Sequence, residues 1–308
     1  MDVLDAREKR HLEFSPAYCT RQRHRLSSCR RCLDACPVGA ITWDEGLRIE
    51  FERCTRCGIC ATVCPTGAIE ARAPSNLELL AEIQRTVENQ GSVVFACTRA
   101  TETGAVPCNA ISLNCLGRLD ESLLIGAVAL GAGSVRLVDI ACGTCPQAMG
   151  RVVAGTIVER SNALLRCLGM APCAGIGPEP LSGDLSGLGE HGIDGRGISR
   201  RGLFRTAARE MTRLIDIAVE VRQAERDGST SQRLAHGGSL PARLPAKRQL
   251  LLAMLKRLDR PAGAALPETG HGLWTDIHLG EDCTRCEMCA FFCPTGALHR
   301  VEEDGEVG

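Results

Sequence analysis

The grouping of the cysteines constrains this chain more than any other feature. Nineteen cysteines occur in 308 residues, and they fall in tight runs divided by long cysteine-free stretches. The tightest reads Cys54-Thr-Arg-Cys57-Gly-Ile-Cys60-Ala-Thr-Val-Cys64-Pro65. A secreted disulfide scaffold is short and evenly stapled, whereas cysteines two or three residues apart can aim several thiolates at one centre. The spacing therefore reads as metal binding.

A partner run lies upstream as Cys29-Arg-Arg-Cys32-Leu-Asp-Ala-Cys36-Pro37, with Leu26 where a first cysteine would stand and Cys19 as the candidate replacement. Both runs continue as Cys-Pro-x-Gly-Ala-Ile, at 36–41 and 64–69, so the segment is an internal repeat. Proline ends the short helix presenting the cysteines, and glycine relieves a tight backbone position. Together the runs resemble the C-x2-C-x2-C-x3-C-P pattern of bacterial two-cluster ferredoxins, in which the fourth cysteine of each run crosses to the other cluster. The resemblance implies Cys54, Cys57, Cys60 and Cys36 on one 4Fe-4S cluster, and Cys29, Cys32, Cys64 and Cys19 on a second. Structural zinc is the alternative, although zinc ribbons use two CxxC pairs divided by a spacer. Residues 42–49 read as a hairpin joining the halves.

A third run, Cys283-Thr-Arg-Cys286-Glu-Met-Cys289-Ala-Phe-Phe-Cys293-Pro294, continues as Thr-Gly-Ala-Leu298, and no fourth follows. By the crossing rule Cys293 belongs to a different cluster from Cys283, Cys286 and Cys289. One expectation is that residues 276–308 form the first half of a second two-cluster domain, with a turn and strand start near Glu302 to Val307. A self-contained lobe using Cys293, or a ligand from a partner subunit, are the alternatives.

Between these ends, residues 77–167 alternate in character. Asn76 reads as the N-cap of a helix carrying Leu77, Leu80, Ile83 and Val87 on one face. Strands are expected at 92–96, 110–114 and 135–140, with helices at 119–130 and 147–165, giving a small, mostly parallel sheet. Cys97, Cys115, Cys142 and Cys145 would then lie at the C-terminal ends of strands, where open α/β folds place functional groups. The stretch from Cys115-Leu-Gly-Arg118-Leu-Asp120 through the Ala-rich segment to Val135, followed by Cys142-Gly-Thr-Cys145, resembles the iron-sulfur delta subunit of methyl-viologen-reducing hydrogenases. That resemblance, over about 92–160, implies a 2Fe-2S cluster and electron relay to a flavin-containing subunit. The family's early cysteine pair is represented here by Cys97 alone, with Cys108 further on. A thiol redox pair at Cys142 and Cys145 and a cofactor-free domain are the competing readings.

The expected architecture is a multidomain α+β and α/β chain. It comprises a ferredoxin-like two-cluster domain at 1–74, an α/β domain at 75–173, a Gly-rich linker at 174–202, a helical segment at 203–275 and a partial ferredoxin-like lobe at 276–308. Within the fourth segment, helices at 203–227 and 248–258 are expected to pair as a hairpin. The formal charge is −1 and all but three of the 36 basic residues are Arg, without the excess positive charge of a nucleic-acid binder. The sequence has no apolar run long enough to cross a bilayer and no signal-like start, so a cytoplasmic location is expected. No catalytic triad or carboxylate pair stands out. The expected role is a non-catalytic electron-transfer subunit serving a flavoprotein, hydrogenase, formate dehydrogenase or heterodisulfide-reductase-like partner. A thiol-disulfide reductase and an iron-sulfur assembly or sensor protein are the other classes.

Overall fold

A computed structural model of the chain describes residues 11–178, 232–233, 239–258 and 277–298. The architecture is a mixed α/β arrangement of several helices and small sheets. The helix expected at 203–227, and with it the proposed hairpin, lies outside the described residues, as does the turn expected near Glu302 to Val307. Among the described residues no helix is long and apolar enough to cross a membrane.

The first unit consists of very short elements. Strand β1 (Leu12–Phe14) pairs antiparallel with β4 (Ile69–Ala71), and β2 (Ile41–Trp43) pairs with β3 (Leu47–Ile49) across the expected hairpin. Helices α1 (Thr20–Arg23), α2 (Arg31–Asp34) and α3 (Ile59–Val63) complete it. Strands of three residues bury little apolar surface, and cysteines occupy much of the interior instead. Cys60 and Cys64 sit in the same buried cluster as Leu12, Ile41, Ala68 and Ile69, with Cys19, Cys32, Cys36 and Cys54 packed against it.

The second unit is a four-stranded parallel sheet in the order β6-β5-β7-β8, formed by β5 (Ser92–Cys97), β6 (Ile111–Leu113), β7 (Ser134–Val138) and β8 (Ala174–Gly177). Helices α4 (Asn76–Gln90), α6 (Glu121–Ala129) and α7 (Met149–Cys167) flank it, and α5 (Thr98–Thr101) is a single turn after β5. The N-cap of α4 is Ser75 rather than Asn76. Ser75 and Glu78 close a reciprocal capping box, while Asn76 directs its amide to Asp120, the N-cap of α6, at 2.7 Å. Phe95, Ile111, Leu123, Leu137 and Ile157 belong to one core of sheet and helices. Strand β8 uses residues whose composition suggested the start of a linker. Its glycines make room for Arg136, because a Cβ at Gly177 would lie 2.6 Å from that guanidinium.

Two further pieces attach. The short ribbon of β9 (Gln232–Arg233) and β10 (Ser239–Leu240) leads toward α8 (Ala246–Arg257). Helix α8 places Leu250, Leu251, Met254 and Leu255 against Leu80, Ile125, Leu164 and Leu165. Helix α9 (Met288–Phe291) belongs to the C-terminal run.

Met254 is fully buried in that contact. Met254→Ala should therefore cost about 2–5 kcal/mol in denaturant unfolding, as large-to-small core substitutions do. A cost below about 1 kcal/mol would mean that α8 does not pack here.

Candidate metal centres

The first unit brings its eight cysteines together in two groups of four. One narrow recess is lined by Cys19, Cys29, Cys32 and Cys64 together with Phe14, Leu33 and Trp43. A second is lined by Cys36, Cys54, Cys57 and Cys60. In each, the last cysteine of one run lies with cysteines of the other. Cys19 joins its recess from beside α1, whereas Leu26, at the position of the absent first cysteine, is 78% exposed.

Local backbone explains how the thiols are held. Arg56 (φ 58°) and Gly58 (φ 73°) adopt the left-handed conformation on either side of Cys57, and Gly67 (φ 63°) does so after Cys64-Pro65. At Gly58 a Cβ would lie 2.4 Å from Arg118 Cδ, so glycine is required twice over. The amide of Ala40 donates to Cys36 Sγ at 3.2 Å, and the Cys64 thiol and Thr66 hydroxyl lie 3.7 Å apart.

Electrostatics follow from this crowding. Burial, reinforced by Cys64, Cys19 and Cys29, pushes the Cys32 thiol up to about 12. Burial raises Cys60 strongly, and Cys57, Cys54, Cys36 and Cys32 raise it further. Cys57 is raised by burial against the opposing hydrogen bonds from the Ile59 amide and Thr55. Such thiols keep their protons at neutral pH unless a cation joins them.

Three further groups support these thiols, of which the cysteine spacing pointed to neither His11 nor Lys247. His11, 8% exposed, sets Nε2 3.2 Å from Cys54 Sγ and stacks edge-on against Phe51. Burial, then Arg56, lowers its pKa, so the ring is held neutral and is a donor when Nε2 bears the proton. Arg118 is 5% exposed, donates to Pro74 O at 2.8 Å and Asn76 Oδ1 at 2.7 Å, and acts electrostatically on Cys60. Lys247 on α8 donates to the carbonyls of Ala61 and Thr62 in α3.

The central cysteines lie toward the C-terminal ends of the strands. Cys97 ends β5, Cys115 follows β6, and Cys142 and Cys145 follow β7. Burial, with Cys57, Cys142 and Cys97 adding to it, pushes Cys115 up to about 12. Burial, then Cys97, Asp139 and Cys145, pushes Cys142 up to about 11. Asp139 is paired by Arg151 Nε at 2.6 Å, which ties the start of α7 to this edge of the sheet. Cys108 is exposed, and Cys173 packs as a small apolar residue. Cys57 and Cys115 share a buried cluster with Ala35 and Ile59, so this group abuts the second recess.

In the C-terminal run, Cys283, Cys286 and Cys289 are exposed and Cys293 is half-buried. The backbone nonetheless repeats the N-terminal one, with Arg285 (φ 55°), Glu287 (φ 59°) and Gly296 (φ 70°) left-handed. Cys293 Sγ lies 3.4 Å from Thr295 Oγ1, as Cys64 lies beside Thr66. For Cys293, burial alone would raise the thiol, but hydrogen bonds from Thr295 and nearby amides lower it overall. Arg23, four residues after Cys19, reaches the carbonyls of Phe291 and Cys293 at 3.5 Å.

Among the described residues no three His, Cys, Asp or Glu side chains close on one point as a single ion requires. The two recesses each carry four cysteines in their lining. Residues 27–68 match the family described as a 4Fe-4S dicluster domain, a span that contains both N-terminal runs but not Cys19. No curated protein and no solved structure matches the chain.

Close packing at Cys115 gives a local test. A Cβ at Gly150 would lie 2.2 Å from Cys115 Sγ, whereas at Gly155 on the same helix it would meet nothing within 4 Å. Gly150→Ala should destabilise by about 1–3 kcal/mol through overpacking. Gly155→Ala should stabilise by about 0.5–1 kcal/mol, as alanine does within a helix. Equal effects in thermal unfolding would contradict the placement of Cys115.

Proposed function

We propose that this chain is a multi-cluster iron-sulfur electron-transfer protein, a subunit that relays electrons between partner oxidoreductases. The observation that carries the reading is the sorting of eight N-terminal cysteines into two four-thiol recesses, each drawing on both runs. The dicluster family match over 27–68 supports the same chemistry.

On this reading Cys19, Cys29, Cys32 and Cys64 hold one 4Fe-4S cluster, and Cys36, Cys54, Cys57 and Cys60 hold a second. Cys283, Cys286 and Cys289, with Cys293 or its equivalent, hold a third, and Cys97, Cys115, Cys142 and Cys145 are candidates for a 2Fe-2S site. When bound, each cluster supplies a one-electron couple. The protein's own groups do the rest. Ile41, Ile69 and Ile59 keep water from the thiols. The Ala40 amide hydrogen-bonds to a ligand sulfur, and Arg118 provides a fixed buried cation beside centres whose thiolates carry negative charge.

Contacts between neighbouring cysteine groups support this reading. Arg23 joins the C-terminal run to the Cys19 turn; Cys32 lies close enough to influence Cys60; Cys57 packs beside Cys115. Such contacts suit conduction between an exposed end and the sheet edge. Redox partners such as a flavoprotein, hydrogenase, formate dehydrogenase or heterodisulfide-reductase-like protein would fit this role. A thiol-exchange role for Cys142 and Cys145 is the second reading, which a count of iron and sulfide separates from a cluster.

Anaerobic protein titrated by electron paramagnetic resonance, with iron and acid-labile sulfide counted, tests the assignment. Cys32→Ser and Cys60→Ser should each remove or convert one different cluster, with a loss of up to about four irons per chain. Wild-type protein that is folded and thiol-reduced yet binds only zinc would overturn it.

A further inference from the structure

One cavity lies apart from the cysteine recesses. It opens where helix α3 and strand β4 of the first unit meet the start of α4, the N-cap of α6 and the first turns of α8. Its volume is about 130 Å³, close to that of a cavity that admits benzene. Every residue of its wall falls within 61–77, 118–120 and 246–250, and none is a cysteine.

The polar groups of this wall are unequally satisfied. Its side-chain acceptors are taken. Asp120 receives Asn76 Nδ2 on one oxygen at 2.7 Å, and on the other the Ser122 amide at 2.9 Å together with the Ser122 hydroxyl. Glu70 is held by Arg243 at 2.8 Å and by Arg72 at 3.1 Å, and Asn76 Oδ1 accepts from Arg118 Nη2. Its donors are in surplus. Arg118 Nε is buried without a hydrogen-bond partner, and Lys247 uses two of its three protons on the carbonyls of Ala61 and Thr62. A buried donor on a charged group is costly to leave unmade. In charge, too, the wall is one-sided: with Glu70 set against Arg72, Arg118 and Lys247 face the single carboxylate of Asp120. What is missing is an anionic acceptor.

The rest of the wall is apolar and includes Ile69, Leu77, Ala246 and Leu250. An enclosed apolar space with a few convergent polar groups is the usual form of a small-molecule site. An inorganic anion would satisfy the donors and leave the apolar surface unmatched, whereas an anion with a short hydrocarbon body matches both. We propose that this cavity binds a short organic carboxylate, its charged end between Arg118 and Lys247 and its hydrocarbon end against Ile69, Leu77 and Leu250. The site requires no metal, so it stands independently of the iron-sulfur assignment.

Calorimetric titration of the full chain, prepared anaerobically, tests the site with butyrate, its neutral isostere butyramide, and inorganic phosphate. Butyrate should bind with a Kd of about 1 mM or below, butyramide should give no binding heat, and phosphate should bind at least about tenfold more weakly. Arg118→Gln should weaken butyrate by about tenfold or more, as the loss of a charged hydrogen bond does. Because Arg118 is buried and its replacement can disturb folding, Ala246→Leu is the second variant. It fills the apolar end, leaves both cations in place, and should remove butyrate binding while thermal unfolding stays as in wild type. No heat from butyrate up to about 20 mM would overturn the proposal and leave the cavity to water. Equal binding of butyramide would overturn the charge recognition, and equal binding of phosphate the hydrocarbon end. Undiminished binding by folded Ala246→Leu would place the ligand elsewhere and overturn the site. Iron counted on the same samples reports the cluster assignment separately, so either conclusion can fail without the other.

Discussion

Thiols packed against one another in apolar surroundings are the constraint on which the rest of this structure depends. A buried thiol resists ionising, and a neighbouring thiolate makes it resist further. Cys32, pushed up to about 12, shows both effects in one recess, and Cys115 shows them at the sheet edge. A group of four such residues is stable in one of two forms: all protonated, or neutralised by metal that displaces the protons. The N-terminal unit is built around this choice. Its strands are only three residues long, and the cysteines stand where a larger domain would place leucine or valine. With so little apolar area to bury, metal ligation would be a major source of its folding free energy.

The parallel sheet plays a different part. It has a conventional apolar core, and it positions cysteines by topology: strands that run the same way end at the same edge, so Cys97, Cys115 and Cys142 lie near enough to act on one another electrostatically although far apart in sequence. The join between this edge and the second recess is tight. Ile59 and Cys57 press against Cys115, Thr62 Oγ1 donates to Arg118 O at 3.0 Å, and Gly117 and Gly150 have no space for a Cβ. Helix α8 reinforces the same region through Lys247. Close contact of this kind fixes the separation between the second recess and the sheet edge.

The parts legible in the sequence were those whose cause is local. The C-x2-C-x2-C-x3-C runs, the hairpin at 42–49 and the alternation of strands and helices from 77 to 167 each follow from spacing or periodicity within a short window. The sorting of cysteines across the two runs, Cys19 included, was an expectation taken from the ferredoxin resemblance and not from local spacing, and the lining of the two recesses groups the same residues. What was missed depended on distant partners. Ser75 displaced Asn76 as the N-cap because Asn76 is drawn to Asp120. Strand β8 was hidden because glycines chosen to accommodate Arg136 read as linker composition. Nothing near His11 announced its approach to Cys54, and no local pattern could show that α8 packs on α6 and α7.

The central claim is that iron sits within the four-thiol recesses. Crystals of anaerobically prepared protein, measured above and below the iron absorption edge, address it most directly. The account predicts iron-specific anomalous density between Cys19, Cys29, Cys32 and Cys64, and again between Cys36, Cys54, Cys57 and Cys60. Ordered, reduced thiols at both positions with anomalous signal only at the zinc edge, or disulfides in place of thiols in active protein, would contradict it.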